Sequence, residues 1–158
     1  MRWCALLLVL VLGGCGIQPT DPVFAGEPPV GAAPGPILFF VRDGHLDPVV
    51  RAENGRLGSP ADALTALLNG PTPAESAAGY YSAIPLPAAA VSVSPIRLGE
   101  VTVALSLAPA ALSPTAIDQV VCTVVAVEAQ LGAGARGLGV RLTGIDASGP
   151  PRYCPAAR

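Results

Sequence analysis

The sequence predicts an α+β fold: a single small domain with a mixed β-sheet and two helices packed on one face. Three observations carry this prediction. Apolar residues alternate with period two in several short segments after residue 36, and two longer segments open with helix-capping patterns. The elements also interleave, in the order strand, strand, helix, strand, strand, strand, helix, strand. A length of 158 residues suits one such domain.

A hairpin opens the domain. Ile37 to Arg42 is rich in β-forming residues and is followed by Asp43-Gly44, a pair suited to a tight turn because both residues tolerate positive φ. Leu46 to Arg51 is the predicted return strand.

Two capping patterns follow the hairpin. Ser59 is the predicted N-cap of a helix, with Pro60 at its first position and Asp62 three residues after the cap. Thr72 and Glu75 repeat this spacing, which predicts a short second helical turn. The first helix takes its apolar stripe and its stop signal from Leu64, Leu67, Leu68 and Asn69-Gly70-Pro71.

Three strands are predicted next. Tyr80 to Ile84 forms a short one that Pro85 stops, and period-two alternation marks Val91 to Val93 and Val101 to Leu107. We expect Gly99-Glu100 in the turn between the last two.

The second long helix opens at Ser113-Pro114. Its many valines make a strand the rival interpretation, but a capped length of nearly twenty residues favours a helix. Leu138 to Leu142 alternates as the last strand, and no element is predicted in the tail after Ile145. One face of the helix carries Ile117, Val120, Val124, Val127 and Leu131.

Composition excludes two classes of protein. Hydrophobic residues make up 51% of the chain, yet the unbroken apolar run Ala5 to Leu12 is far shorter than the roughly 17–25 residues of a spanning helix. A net charge of −2 and a sequence pI near 5.2 argue against a nucleic-acid partner, which normally needs a pI above about 9.

The N-terminus is typical of an export signal. Arg2, the apolar run and Leu12-Gly13-Gly14-Cys15 resemble a bacterial lipobox, which implies a signal peptide over residues 1–14 and lipidation of Cys15. An ordinary secretory signal with a free Cys15 is the alternative. Residues 15–36 are rich in proline and glycine, so we expect an extended tether reaching up to roughly 60 Å from the membrane.

The domain resembles a known family. The specific part is the block from Leu67-Leu68 through Gly70-Pro71-Thr72 and Glu75 to Ile84-Pro85. Further matches are Leu38 to Gly44, Leu46, Pro48 to Arg51, Gly79, Ser82-Ala83, Val101 to Leu107, Gln119, Thr123 and Val140 to Gly144. These residues resemble the GerMN domain of sporulation and spore-germination proteins over about 110 residues in order. The resemblance implies an interaction domain of the bacterial envelope rather than an enzyme.

Candidate contact residues lie in and after the family block. Gly70, Pro71, Thr72 and Glu75 could form a binding loop, although helix capping alone explains their chemistry. Tyr80 and Tyr81 point to opposite sides of an extended segment, so one of them could be an exposed contact anchor. The alternative is a tyrosine whose ring belongs to the core.

The sequence offers no catalytic, cofactor or metal site. His45 is the single histidine and lies at the predicted hairpin turn, where such residues are commonly solvated. Gly132, Gly134 and Gly137 match G-x-G-x-x-G, but they follow a helix and precede a strand, the reverse of a dinucleotide site. We therefore expect no cofactor.

Two cysteines remain if Cys15 carries lipid and Cys4 leaves with the signal. An exported domain with this pair, Cys122 and Cys154, is expected to form one disulfide. Cys122 lies nearly opposite the apolar stripe of its helix, so the tail around Cys154 could fold back over that face. The alternative is a buried Cys122 and a free thiol at Cys154.

The sequence as a whole predicts a membrane-anchored lipoprotein on the extracytoplasmic side of the cell membrane. Residues 37–146 form its GerMN-like domain, and residues 147–158 form a tail stapled to that domain. The expected function is non-enzymatic binding of another envelope protein. The alternative is a lipoprotein that binds a cell-wall glycan, peptide or small solute.

Overall fold

The computed structural model describes residues 35–52, 56–85, 90–134, 136–145 and 147–157. Most of the predicted tether, the predicted signal peptide and Cys15 lie outside the described residues. Short 3-10 turns occur at Pro109–Ala111 and Pro155–Ala157. The helices and strands are β1 (Ile37–Arg42), β2 (His45–Val50), α1 (Pro60–Leu68), α2 (Pro73–Ala77), β3 (Ala90–Val93), β4 (Glu100–Leu105), α3 (Pro114–Gln130), β5 (Gly139–Thr143) and β6 (Ser148–Arg152).

The α+β fold class is confirmed, with a mixed sheet of four strands in the order β3-β4-β5-β6. Strands β4 and β5 are parallel and are joined through α3, while β3 and β6 are antiparallel to their neighbours. The hairpin β1-β2 pairs separately as a two-stranded sheet, with Asp43 and Gly44 at positive φ in its turn. Helix α2 is the short capped turn predicted at Thr72 and Glu75.

Helix α3 is buried on almost every side. Val120, Val124 and Val127 of the predicted stripe are fully buried, and so are Val121 and Cys122 on other faces. A helix that is apolar all round must be enclosed, and here the hairpin, helix α1 and the C-terminal tail cover the faces that the four-stranded sheet leaves free. Leu131, predicted on the same face, is instead the C-cap of the helix and is 52% exposed.

Polar side chains of α3 satisfy the edge of β1 that faces away from β2. The Phe39 amide donates to Thr123 Oγ1 at 3.0 Å, and its carbonyl accepts from Gln119 Nε2 at 3.0 Å. Near the helix C-terminus, Gln130 pairs with Ile37 and Gly35 in the same way. Because buried backbone groups need partners, these side chains replace a neighbouring strand and keep the hairpin as a separate sheet.

The strand predicted at Tyr80 to Ile84 is wrong. Only Tyr81 pairs with β1, through two 2.9 Å hydrogen bonds with Val41. Two residues further on, Gln119 Oε1 accepts from the Ala83 amide at 2.7 Å while its Nε2 donates to Phe39. The glutamine amide therefore lies between the two backbones and ends the ladder after one pair.

The C-terminal tail was wrongly predicted to lack an element, because β6 is the last strand of the sheet. The domain therefore extends past residue 146. Pro150 and Pro151 lack an amide hydrogen, but an edge strand tolerates proline because one side of it has no partner. After β6 the chain crosses to α3, where the structure bonds Cys154 to Cys122 with a Cα–Cα distance of 4.7 Å.

The turn between β3 and β4 is shifted by one residue from the prediction. Leu98 and Gly99 occupy it, with φ of 51° and 75°, and Arg97 and Glu100 exchange two backbone hydrogen bonds of 2.9 Å across it. Two consecutive residues at positive φ form the tight hairpin turn that favours Asn-Gly.

Candidate interaction site

Arg51, at the end of the hairpin, occupies the centre of the predicted loop. Its amide donates to the Pro36 carbonyl at 3.1 Å, which continues the β1-β2 pairing. Gly35 packs so closely that a Cβ there would lie 1.7 Å from the Arg51 carbonyl oxygen. The backbone of Arg51 is thus fixed by β1, and its side chain, only 9% exposed, extends toward α1 and α2.

The guanidinium of Arg51 makes four hydrogen bonds. Nε and Nη2 donate to the two carboxylate oxygens of Glu75 at 3.1 and 2.7 Å, a bidentate geometry. Nη1 donates to the Ala66 carbonyl at 3.1 Å and Nη2 to the Gly70 carbonyl at 2.8 Å. The Phe40 ring lies 5.3 Å from the guanidinium carbon, within cation–π range.

The family block folds around this charge. Gly70 follows the end of α1 with φ of 82°, a conformation that is unfavourable for residues with a side chain. In this conformation its carbonyl accepts the hydrogen bond from Arg51. Thr72 and Glu75 form a complete capping box, since Thr72 Oγ1 accepts from the Glu75 amide and Glu75 Oε2 accepts from the Thr72 amide. Pro71 joins the two helices, and the first position of α2 is also a proline, Pro73.

Hydrogen bonding to Arg51 holds the pKa of Glu75 below its usual value near 4.5, against the opposing effect of burial. A carboxyl whose pKa is lowered on folding stabilises the folded state above its unfolded pKa. That stabilisation is lost as the pH falls through the lower, folded value. The ion pair is therefore expected to be intact at neutral pH and to fail in acid.

Tyr80 extends the same face of the hairpin toward solvent. Arg42 stacks over its ring, with the guanidinium carbon 4.7 Å from the centroid, and forms an ion pair with Asp47. The Tyr80 hydroxyl donates to Asp47 Oδ2 at 3.2 Å. Partial burial, with a smaller effect from this hydrogen bond, raises the pKa of Tyr80. Tyr80 is thus the tyrosine whose ring packs on the domain.

Tyr81 is the exposed one. Its backbone is fixed to Val41 by two hydrogen bonds, while half of its surface, 50%, remains open to solvent. A fixed backbone beneath an exposed aromatic ring lowers the entropy that a contact must overcome. We call the predicted block and tyrosine pair, together with the charged side chains that hold them, the Arg51 platform: Arg42, Asp47, Arg51, Gly70, Pro71, Thr72, Glu75, Tyr80 and Tyr81.

Sequence reasoning missed Arg51 as the organising residue. It was placed at the end of a strand, where a charged side chain is ordinarily solvated. The sequence carries no clear signal for this role, because helix capping alone accounts for Glu75. A carboxylate with two oxygens can serve a capping box and a guanidinium together, but no spacing in the sequence pairs residues 51 and 75.

Other candidates are placed as follows. His45 is exposed beside the hairpin turn. Among the described residues, no group of three or more His, Cys, Asp or Glu side chains is arranged to hold a metal ion. No helix among them has both the length and the apolarity to cross a bilayer.

Two cavities bear on ligand binding. A cleft of about 630 Å3 lies beside the N-terminus of α1, but the polar groups of Ser59 and Asp62 there are engaged with each other in a capping box. A smaller apolar cavity of about 130 Å3 lies beneath the C-terminal tail, between Phe39, α3 and the Cys122–Cys154 bridge.

Comparison with known proteins adds no relative: no family model, no curated protein and no solved structure matches the chain.

Replacing Arg51 by alanine should lower the free energy of unfolding by about 3 kcal/mol or more, because Glu75 and two carbonyls would lose their partner in a buried site. Arg141 is the matched control. It makes a similar bidentate pair with Glu100, at 2.6 and 3.0 Å, but both side chains are about one-third exposed. Arg141→Ala should cost clearly less, because solvent screens this more exposed pair. Urea denaturation measures both, and equal losses would contradict the special role of Arg51.

Proposed function

We propose that this protein is an exported, lipid-anchored envelope protein whose GerMN-like domain binds another envelope protein without catalysing a reaction. The Arg51 platform is the proposed contact surface. Export and anchoring are supported by the N-terminal sequence, and the family assignment by the ordered resemblance through Gly70 to Ile84. The binding role is supported by the exposed Tyr81 on a fixed backbone.

The observation that carries the binding role is how rigidly the platform holds its aromatic residues. Tyr81 is tied to β1, and Tyr80 is held between Arg42 and Asp47. Tyrosine and arginine are the residues enriched at energetically dominant interface positions. Arg42 lies over the Tyr80 ring, and the Tyr80 amide donates to the Glu75 carbonyl at 3.0 Å, which ties this pair to the loop that Arg51 organises.

The alternative, a small-ligand role, has one observation in its favour. The cleft beside α1 has a volume within the roughly 300–1,000 Å3 of ligand pockets and includes the exposed Arg56. Such a ligand would have to compete with the capping box for Ser59 and Asp62. A partner at the platform would not have to break a capping box, so the platform is the better-supported site.

Export predicts two modifications in the same molecule. Protein purified from the membrane fraction without reductant should carry a diacylglyceryl group on an N-terminal Cys15 and a bridge between Cys122 and Cys154. Intact-mass and peptide mass spectrometry would measure both. An unprocessed N-terminus with two freely alkylated thiols would contradict export.

A photo-crosslinking amino acid in place of Tyr81 should give one discrete protein adduct in intact envelopes. The same substitution at Ile145 is the matched control, because that residue is 81% exposed and lies outside the platform. Arg42→Gln should weaken the adduct at position 81 by removing the stack that holds Tyr80. Equal labelling at both positions would contradict the platform as the contact. Specific labelling of a cell-wall fragment by a crosslinker at Arg56 would instead favour the alternative.

A further inference from the structure

The tip of the β3-β4 hairpin carries an apolar side chain that does not pack against the domain. Leu98 is fully exposed and has φ of 51° in a turn where asparagine or glycine is preferred. A bulky residue with positive φ is an outlier, and burial does not compensate for it here. An outlier of this kind calls for a functional reason, since asparagine would satisfy the turn better.

Other exposed apolar side chains flank Leu98. Ile96 precedes the turn and is 38% exposed, and Tyr153 is 52% exposed. The Gly139 amide donates to the Gly99 carbonyl at 2.9 Å, and a Cβ on Gly139 would meet the Tyr153 ring at 3.5 Å. The turn and the tyrosine therefore border the same glycine. We call Ile96, Leu98 and Tyr153 the tip surface.

Three arginines lie near the tip surface along the chain and across the sheet. Arg97 lies in the turn, Arg136 precedes Gly139, and Arg152 pairs with the first residues of β5. All three are exposed, and none makes an ion pair within the described ranges.

Two carboxylates face this region from neighbouring elements. That of Glu100 is already neutralised by Arg141. Asp118 of α3 borders a recess of about 230 Å3 together with Arg152 and Tyr153. Three cations against one unpaired acid leave the surface positive.

We propose that the tip surface docks on an anionic phospholipid bilayer, with Leu98 at the boundary between headgroups and acyl chains and the three arginines on lipid phosphates. Apolar side chains within a basic surround are the signature of interfacial membrane binding. Protein interface cores, in contrast, are depleted of charged residues. Each arginine should strengthen partition about fivefold at low salt, and added salt should screen this effect.

This inference rests on the proposed export and anchoring, because a tether at Cys15 would keep the domain close to the membrane. Lipidation supplies attachment, while the tip surface would set which end of the domain faces the bilayer. The Arg51 platform lies on the hairpin β1-β2 and its helices, whereas the tip surface belongs to the four-stranded sheet. A bilayer contact at the tip thus uses residues that the platform does not.

The test is the local environment of position 98 in the full, acylated chain reconstituted into vesicles. Leu98→Trp and the matched control Ile145→Trp, which replaces a residue 81% exposed in a different loop, each give the acylated protein a single tryptophan, because Trp3 leaves with the predicted signal peptide. Vesicles contain brominated acyl chains, with either phosphatidylglycerol and phosphatidylcholine or phosphatidylcholine alone. Flotation reports anchoring, and tryptophan quenching reports contact with the bilayer.

With phosphatidylglycerol present, quenching at position 98 should exceed that at position 145 at least about threefold. It should fall several-fold in pure phosphatidylcholine, in high salt and in the Arg97→Gln, Arg136→Gln, Arg152→Gln variant. Chains that float but show equal, weak quenching at both positions would overturn the inference while leaving anchoring intact. Quenching that is indifferent to lipid charge would overturn the anionic selectivity. Shielding of position 98 only after addition of another envelope protein would identify a protein contact instead.

Leu98→Asn separates docking from folding. Asparagine suits the turn, so this variant should melt at or above the temperature of the wild type. In a background with a tryptophan in place of Tyr153, it should also reduce quenching at position 153 severalfold. Unchanged quenching in a well-folded Leu98→Asn protein would show that Leu98 does not contact the bilayer.

Discussion

The Arg51 side chain carries a full positive charge although only 9% of it is exposed to solvent. The loop between α1 and α2 is organised around this charge. An unpaired charge at such a site would cost several kcal/mol, so a carboxylate must lie against it. Glu75 can do so only because Thr72 caps the N-terminus of α2, and the chain can turn into that cap only because Gly70 follows α1 at positive φ. One electrostatic requirement therefore links hairpin, helix end, connecting proline and helix start.

A second constraint is the unpaired edge of β1. Helix α3 supplies the hydrogen bonds that a neighbouring strand would otherwise make. The backbone groups on this edge of β1 bond to the side chains of Gln119, Thr123 and Gln130. Gln119 also ends the pairing of Tyr81 with β1 after one residue pair, because its side chain binds the Ala83 amide. The exposure of Tyr81 thus follows from the core, since the chain must leave the strand direction at Ala83. The proposed contact surface is a consequence of how α3 is buried.

Local signals predicted the elements well, whereas their long-range partners could not be predicted. Capping boxes at Ser59 and Thr72, the Asp43-Gly44 turn and period-two strands depend on residues within a few positions, and the structure has them. The insertion of Gln119 between Phe39 and Ala83 depends on residues 80 and 36 positions away, so Tyr80 to Ile84 was misjudged as a strand. The strand at residues 148–152 was not predicted, because its two prolines are rare in strands except at a sheet edge. Of the site, the glycine, threonine, glutamate and tyrosines were found, but Arg51 was not.

A double-mutant cycle between Arg51→Met and Glu75→Gln, followed from pH 7 to pH 2 by urea denaturation, tests the central claim most directly. The account predicts a coupling free energy of about 2 kcal/mol or more at pH 7. Because the folded pKa of Glu75 lies below 4.5, the coupling should persist through pH 5 and decay only at lower pH, as the carboxylate is protonated. A coupling below about 0.5 kcal/mol at pH 7, or one that does not change with pH, would contradict the role assigned to this ion pair.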